Sequence, residues 1–253
     1  MSINLEVSDH IAVVRLDKPP VNALDRATRR RLIEIFDEIS ERSDVRVAIL
    51  TGTGKFFCSG ADLKDRPNAD KAGDFLDHNR WTRETGNAIR ECAKPVIAAV
   101  NGPALGAGFG LMAACDIFLA SEDATFAMPE INVGLAGGVS MLRTMVGRSF
   151  TRRMFFTGMK VPAAELYRRG VIDEVVPAEQ LMPLALEIAQ EIASKAPLAI
   201  AYAKQAANMM DLMPQRDGYR FEQNFTMALA RTEDAQEART AFLEKRKPVY
   251  KGR

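Results

Sequence analysis

One carboxylate stands apart in this chain. Between Asp123 and Gly138 the only acidic side chain is Glu130, set in Met128-Pro129-Glu130 and followed by the glycines of Val133-Gly134-Leu135-Ala136-Gly137-Gly138. A lone acid among apolar and glycine-rich residues is where a carboxyl group can be tuned for proton transfer, because burial penalises its charged form. Upstream, residues 95–100 form an apolar, β-branched run that reads as a fully buried strand. Asn101-Gly102-Pro103 breaks it, and the glycine-dense turn Gly106-Ala107-Gly108-Phe109-Gly110 leads into the apolar run 111–115. Strand, glycine turn and buried helix together aim backbone N–H groups at one point, since a helix start leaves several amides unpaired. Ser59-Gly60-Ala61-Asp62 follows another strand and glycine loop at a similar distance. Two such turns can each give one N–H to the same oxygen, which stabilises an enolate or a tetrahedral oxyanion. The plain alternative is a pair of ordinary glycine-rich loops.

Other chemistries find less support. Gly106-Ala107-Gly108-Phe109-Gly110-Leu111 misses the G-x-G-x-x-G fingerprint at its last position, and only Gly108 to Ala113 fits the looser form ending in Ala. No G-K-[ST] occurs, so a phosphate-cradling P-loop is missing from the sequence. The two histidines are His10, in a hairpin turn, and His78, in a polar stretch, and both read as surface or loop residues rather than a catalytic base. No paired acids stand at ligand spacing, so no metal is expected. Cys58, Cys92 and Cys115 are an odd count without metal-like spacing and read as small buried hydrophobes of a reducing compartment. Trp81 and Phe75 read as core, with the lining of an acyl pocket as the sharper alternative.

The elements that must hold these parts follow from periodicity. Residues 3–8 and 11–16 alternate like a hairpin turning at Asp9-His10. Residues 22–40 have helical spacing, with Leu32, Ile33, Ile35, Phe36 and Ile39 apolar, Arg30, Arg31, Glu34 and Glu38 on the wet side, and Asp25 as cap. Further buried strands are expected at 46–51, 94–100 and 116–120, and residues 64–79 as a mobile loop joining a helix that ends near Cys92. Alternating buried strands and helices imply parallel crossovers covered on their faces. After Gly138 the pattern is helical at 139–147, 150–157, 162–169, 178–194, 196–210, 216–231 and 233–245, with one short strand at 171–176.

The 253 residues suit one large domain or two small ones, with a hinge expected near 195–215. A formal net charge of +1 gives no reason to expect a nucleic acid or membrane partner. Apolar runs are broken by Gly, Asp or Pro before the ~20 residues that span a bilayer, and no secretory leader is visible, so the cytoplasm is the default. At the C-terminus, residues 242–251 concentrate positive charge with Tyr250. A solvated tail is one reading, and a phosphate-bearing ligand near a neighbouring subunit is the other.

Taken together, Lys18-Pro19-Pro20-Val21-Asn22-Ala23-Leu24, Phe57-Cys58-Ser59-Gly60-Ala61-Asp62-Leu63, residues 94–102, Ala104-Leu105-Gly106-Ala107-Gly108, Cys115-Asp116, Phe126-Ala127-Met128-Pro129-Glu130 and residues 241–248 resemble the crotonase (enoyl-CoA hydratase/isomerase) superfamily over nearly the whole chain. The resemblance implies an α/β crotonase fold, with repeated ββα units forming a spiral core at residues 1–195. Residues 196–253 would be a helical trimerisation region, assembling as a homotrimer or a dimer of trimers. It implies an acyl-CoA substrate, with coenzyme A part of the substrate and no separate cofactor. Carried over by position, the Ala61 and Ala107 amides would form the oxyanion hole and Glu130 would be the acid/base. Ala23, Ala61, Asp62, Leu63 and Gly106 would lie along the CoA, and Tyr250 and Lys251 would reach a neighbour's nucleotide. Hydratases of the family carry two glutamates, and the first falls where this chain has Gly110. The surviving Glu130 suffices for a proton shuttle from C2 to C4, so Δ3-Δ2 isomerisation is favoured over hydration. An acid of the 62–79 loop (Asp62, Asp65, Asp70 or Asp74) is the alternative second base. CoA-ester hydrolysis or decarboxylation is a third branch, and a CoA-binding scaffold without turnover is the reading from another class.

Overall fold

The computed structural model describes residues 2–253. The expected hairpin forms from β1 (Ile3–Ser8) and β2 (Ile11–Leu16), and both turn residues, Asp9 and His10, take positive φ. From β2 onward the pairing is parallel through β3 (Val47–Gly52), β4 (Val96–Val100), β6 (Ile117–Ser121) and β9 (Glu174–Val176), giving a 6-stranded sheet in the order β1-β2-β3-β4-β6-β9. Parallel strands need covered crossovers, and their side chains alternate between two buried faces. On one face Val47, Ile49, Ile97, Ala99 and Leu119 meet Leu181, Ala185 and Ala189 of α7 (Ala178–Ala193). On the other, Ala12, Val14, Ala48, Leu50, Ala98 and Val100 join the core that includes Leu32, Ile35 and Phe36 of α1 (Arg26–Glu41).

A second, smaller sheet decides where the loops end. Its strands β5 (Ala104–Leu105), β7 (Thr125–Ala127) and β8 (Val161–Pro162) are only two or three residues long. Single bridges extend it, Cys58 to Ala104 and Leu24 to Ala61. Each turn of the chain therefore gives a long strand to the large sheet, a short one to the small sheet, and then a helix. The turns run β2, Leu24, α1; β3, residues 58–61, α2 (Asp74–Glu91); β4, β5, α3 (Ala107–Ala113); and β6, β7, then α4 (Val139–Met145) and α5 (Arg148–Thr157). This is the spiral of ββα units that the resemblance implies.

The sequence pattern misplaces some starts. α1 begins at Arg26, not 22, because Asp25 caps it by accepting from the Thr28 N–H. The helix expected at 111–115 starts at Ala107, so Gly108 and Gly110 lie within it. Gly108 is there for contact: a Cβ on it would stand 2.2 Å from the Cys58 carbonyl oxygen, so α3 packs directly on the 58–61 turn. After α6 (Ala163–Arg168), the helices α8 (Pro197–Met210), α9 (Gln215–Leu229) and α10 (Glu233–Leu243) follow α7. α8 is tied to the sheet by the buried Lys204, whose ammonium meets Asp116 at 2.9 Å and donates to the Lys94 carbonyl at 3.0 Å.

Candidate active site

The short sheet assembles the site. The Leu105 N–H donates to the Cys58 carbonyl at 2.9 Å, and the Gly106 N–H to the Ala127 carbonyl at 2.8 Å. The first bond lays the 58–61 turn beside the start of α3, and the second brings Met128-Pro129-Glu130 beside Gly106. On the outer side Leu24 donates to the Gly60 carbonyl at 2.8 Å, while Asp62 donates to Leu24 at 3.0 Å. Two asparagines brace the turns from behind. Asn22 donates to the Thr53 and Phe56 carbonyls at 3.0 and 2.8 Å. Asn101 accepts from the Gly52 N–H at 3.0 Å and donates to the Gly54 carbonyl at 2.9 Å.

These turns wall a cavity of about 550 Å³ that contains Ala61, Asp62, Leu63, Gly106, Ala107 and Glu130 in its lining. Among the described residues neither the Ala61 nor the Ala107 N–H has a protein acceptor, although the adjoining Asp62 and Gly106 N–H groups are bonded. They belong to two turns in contact: a Cβ on Gly60, which holds φ +98, would lie 2.6 Å from the Leu105 carbonyl oxygen and 3.4 Å from the Ala107 nitrogen. Two free amides on abutting turns of one cavity are what a developing oxyanion requires.

Glu130 lies on a short 3-10 helix, Pro129–Val133. Its Oε1 stands 2.6 Å from where a Cβ on Gly106 would be, so glycine at 106 leaves the carboxylate room to hold this place. Its Oε2 is buried without a hydrogen-bond partner. Burial raises the carboxyl pKa above the usual glutamate value, opposed only by its own backbone N–H. A carboxyl group left without a partner in such a place can take up and give back a proton.

The other acids are differently placed. Asp74 is held by Arg26 through two bonds of 2.9 Å, and Asp70 is exposed; neither lines the cavity. Asp65 lines it but is engaged with Arg26, and Asp62 accepts from the Lys64 N–H at 3.0 Å and from Lys18 at 3.3 Å. The space a side chain at 110 would occupy is taken by Met141, whose Sδ is 2.9 Å from the Cβ position. Ala23 sits on the pairing segment beside Ala61 but outside the cavity wall, where Leu24 stands instead. Tyr250 and Lys251 do not line the cavity of their own chain, and the Lys251 and Gly252 N–H groups donate to the buried Asp234 at 2.7 and 2.8 Å.

Sequence reasoning misplaced one residue and passed over two. His78, read as a surface or loop residue, lies on α2 and lines the cavity, because α1 and α2 close over the same side. Arg29 lines it too, and Met141 fills the space opposite Gly110. The signal for Arg29 was present: it precedes Leu32 by three and Phe36 by seven residues, which carries it onto the buried stripe of α1.

The family model described as enoyl-CoA hydratase/isomerase matches residues 6–253. The chain is 39% identical over 235 residues to the (7aS)-7a-methyl-1,5-dioxo-2,3,5,6,7,7a-hexahydro-1H-indene-carboxyl-CoA hydrolase of Mycobacterium tuberculosis, covering 93% of this chain and 95% of that one. It is 38% identical over 266 residues to the carnitinyl-CoA dehydratase of Salmonella enteritidis, covering 100% and 99%. Among solved structures, an enoyl-CoA hydratase from Bacillus anthracis superposes with a TM-score of 0.93 at 34% identity over 100% of both chains. Pseudomonas aeruginosa DspI does so with a TM-score of 0.94 at 30% identity, over 99% and 97%.

Proposed function

The chain belongs to the enoyl-CoA hydratase/isomerase family of the crotonase superfamily, and from that premise we propose that it isomerises 3-enoyl-CoA to 2-enoyl-CoA with Glu130 as sole acid/base. The thioester oxygen accepts from the Ala61 and Ala107 amides, which lowers the cost of removing a proton from C2. Glu130 takes that proton, the charge spreads into a dienolate whose oxygen stays between the amides, and Glu130 returns the proton at C4. One hole donor contributes roughly 3 kcal/mol of barrier lowering. The observation that carries the reading is the unpartnered Oε2 of Glu130 facing a cavity that holds no other uncommitted carboxylate among the described residues. Hydration ordinarily uses one group to activate water and a second to protonate carbon, and Gly110 supplies neither. Hydrolysis of a CoA-activated substrate is the second reading, favoured by the similarity to a CoA hydrolase; it would use the same amides. Exposed apolar side chains on the last helix and tail, Phe242, Leu243 and Val249, support assembly with further copies as a trimer or dimer of trimers. There the tail, with Tyr250 and Lys251, would meet a neighbour's CoA.

The test supplies 3-enoyl-CoA and 2-enoyl-CoA separately and follows conjugation by ultraviolet absorbance. Absorbance gained from the first substrate, and lost on the order of 10²–10⁴-fold in rate in Glu130→Gln with little change in ligand binding, is the expected result. Loss of conjugation from the second substrate alone would replace the assignment with hydration.

A further inference from the structure

The cavity that receives Glu130 also contains a cation with no partner. Arg29 is 2% exposed, yet its guanidinium enters no ion pair or hydrogen bond among the described residues. The nearby carboxylates are committed elsewhere: Asp25 to Lys18 at 2.6 Å, and Asp65 and Asp74 to Arg26. Beside it on the cavity wall, the Nδ1 of His78 is buried and likewise has no partner. Burial first, then the charges of Arg29 and Arg26, lowers the His78 pKa, leaving a neutral ring that can donate one N–H. A buried charge is costly unless it is paired, and a guanidinium presents a planar fork that fits a carboxylate.

The position of Arg29 argues against the phosphates of CoA as its partner. Leu63, Phe75 and Leu135 are exposed and mark the cavity's open rim, and the wall's other arginine, Arg66, is exposed too. Arg29 instead lies on the buried side of α1, which packs on α2, and is 2% exposed, where a multiply charged nucleotide would lose all its water. The part of an acyl-CoA that can enter so buried and largely apolar a place is the acyl chain. We propose that Arg29, with His78 beside it, receives a carboxylate at the far end of the acyl group, so that the preferred substrates are CoA thioesters of acyl chains ending in a carboxylate. This rests on the acyl-CoA reading of the cavity.

The test uses saturated probes, which cannot isomerise, and reads binding by calorimetry. CoA monothioesters of straight-chain dicarboxylic acids of graded length are compared with the matching monocarboxylic acyl-CoAs. At the length that spans thioester hole to Arg29, the carboxylate-ended probe is expected to bind on the order of 10–100-fold tighter. Arg29→Met should erase that preference while keeping the affinity for the methyl-ended probe, and Arg29→Lys should retain part of it. Equal or weaker binding of the carboxylate-ended probe at every length, or a preference unchanged in Arg29→Met, overturns the proposal and leaves the acyl-CoA reading standing. The wild-type comparison decides the matter alone if the variants do not fold. Failure of both series to bind would overturn both readings.

Discussion

Replacing Gly106 by alanine tests the geometry of the site with a single methyl group. The new Cβ would stand 2.6 Å from Glu130 Oε1, about 0.7 Å inside the ~3.3 Å at which carbon and oxygen come to rest. The methyl is fixed to the backbone at the start of α3, so the carboxylate has to retreat by about that distance. Misplacing a reacting group by 1 Å can cost ~10²-fold in rate, so kcat for the proposed isomerisation should fall on the order of 10–100-fold. KM should change little, because the amides and the acyl pocket are untouched. Gly106 also holds φ +53 with ψ −120, outside the left-handed helical well, where a side chain costs roughly 1–3 kcal/mol, which for a chain of this size lowers Tm by roughly 2–12 °C. Gly54→Ala separates the two effects: it holds φ +76 with nothing near its Cβ, so it should lose stability through the backbone alone and keep kcat. Steady-state kinetics and thermal unfolding of both variants are the assay. A Gly106→Ala enzyme with kcat within twofold of wild type, or a Gly54→Ala enzyme equally impaired, would refute the reasoning.

Further expectations can be checked on the same preparations. Because burial raises the Glu130 pKa, its proton persists to higher pH than on an ordinary glutamate, and the acid limb of kcat/KM should have its midpoint above that of an ordinary glutamate, lost in Glu130→Gln. The same shift means that the ionised form destabilises the fold at neutral pH, an effect relieved as pH falls through the raised pKa, so Glu130→Gln should melt higher than wild type at pH 7. Gly110→Glu restores a second carboxylate at the price of displacing the flexible end of Met141; 2-enoyl-CoA hydration should rise at least tenfold, on the order of 1.4 kcal/mol of barrier. Lys204→Met leaves the Asp116 carboxylate without its ammonium and two carbonyls without a donor, which should cost about 3 kcal/mol and lower Tm by roughly 6–12 °C.

What was legible in the sequence was local. Buried strands announce themselves by β-branched runs, and the helices from 139 onward by their period; their ends differ from the pattern by only a few residues. Glu130 was legible because nothing else acidic lies near it in the chain, and the glycine turns because glycine is rare inside strands and helices. The small sheet was not legible, since strands of two or three residues carry no period. His78 was misjudged for a related reason: its polar neighbours suggest a surface loop, and only the packing of α2 against α1 turns it toward the cavity.

The glycines show the difference between recognising a residue and knowing its reason. Read along the chain, Gly60, Gly106, Gly108 and Gly110 look like one kind of residue, a turn former. In the fold they yield to different neighbours: Gly60 to the Leu105 carbonyl, Gly106 to the Glu130 carboxylate, Gly108 to the Cys58 carbonyl, and Gly110 to the Met141 thioether. The first and third let two turns approach closely enough to bring free amides onto one cavity. The second lets an acid reach that cavity, and the fourth leaves its opposite wall apolar where a second acid would otherwise face the substrate. On the proposed reading a site built this way moves one proton between two carbons of a bound thioester, since among the described residues it has no second uncommitted carboxylate to activate water by the usual pairing.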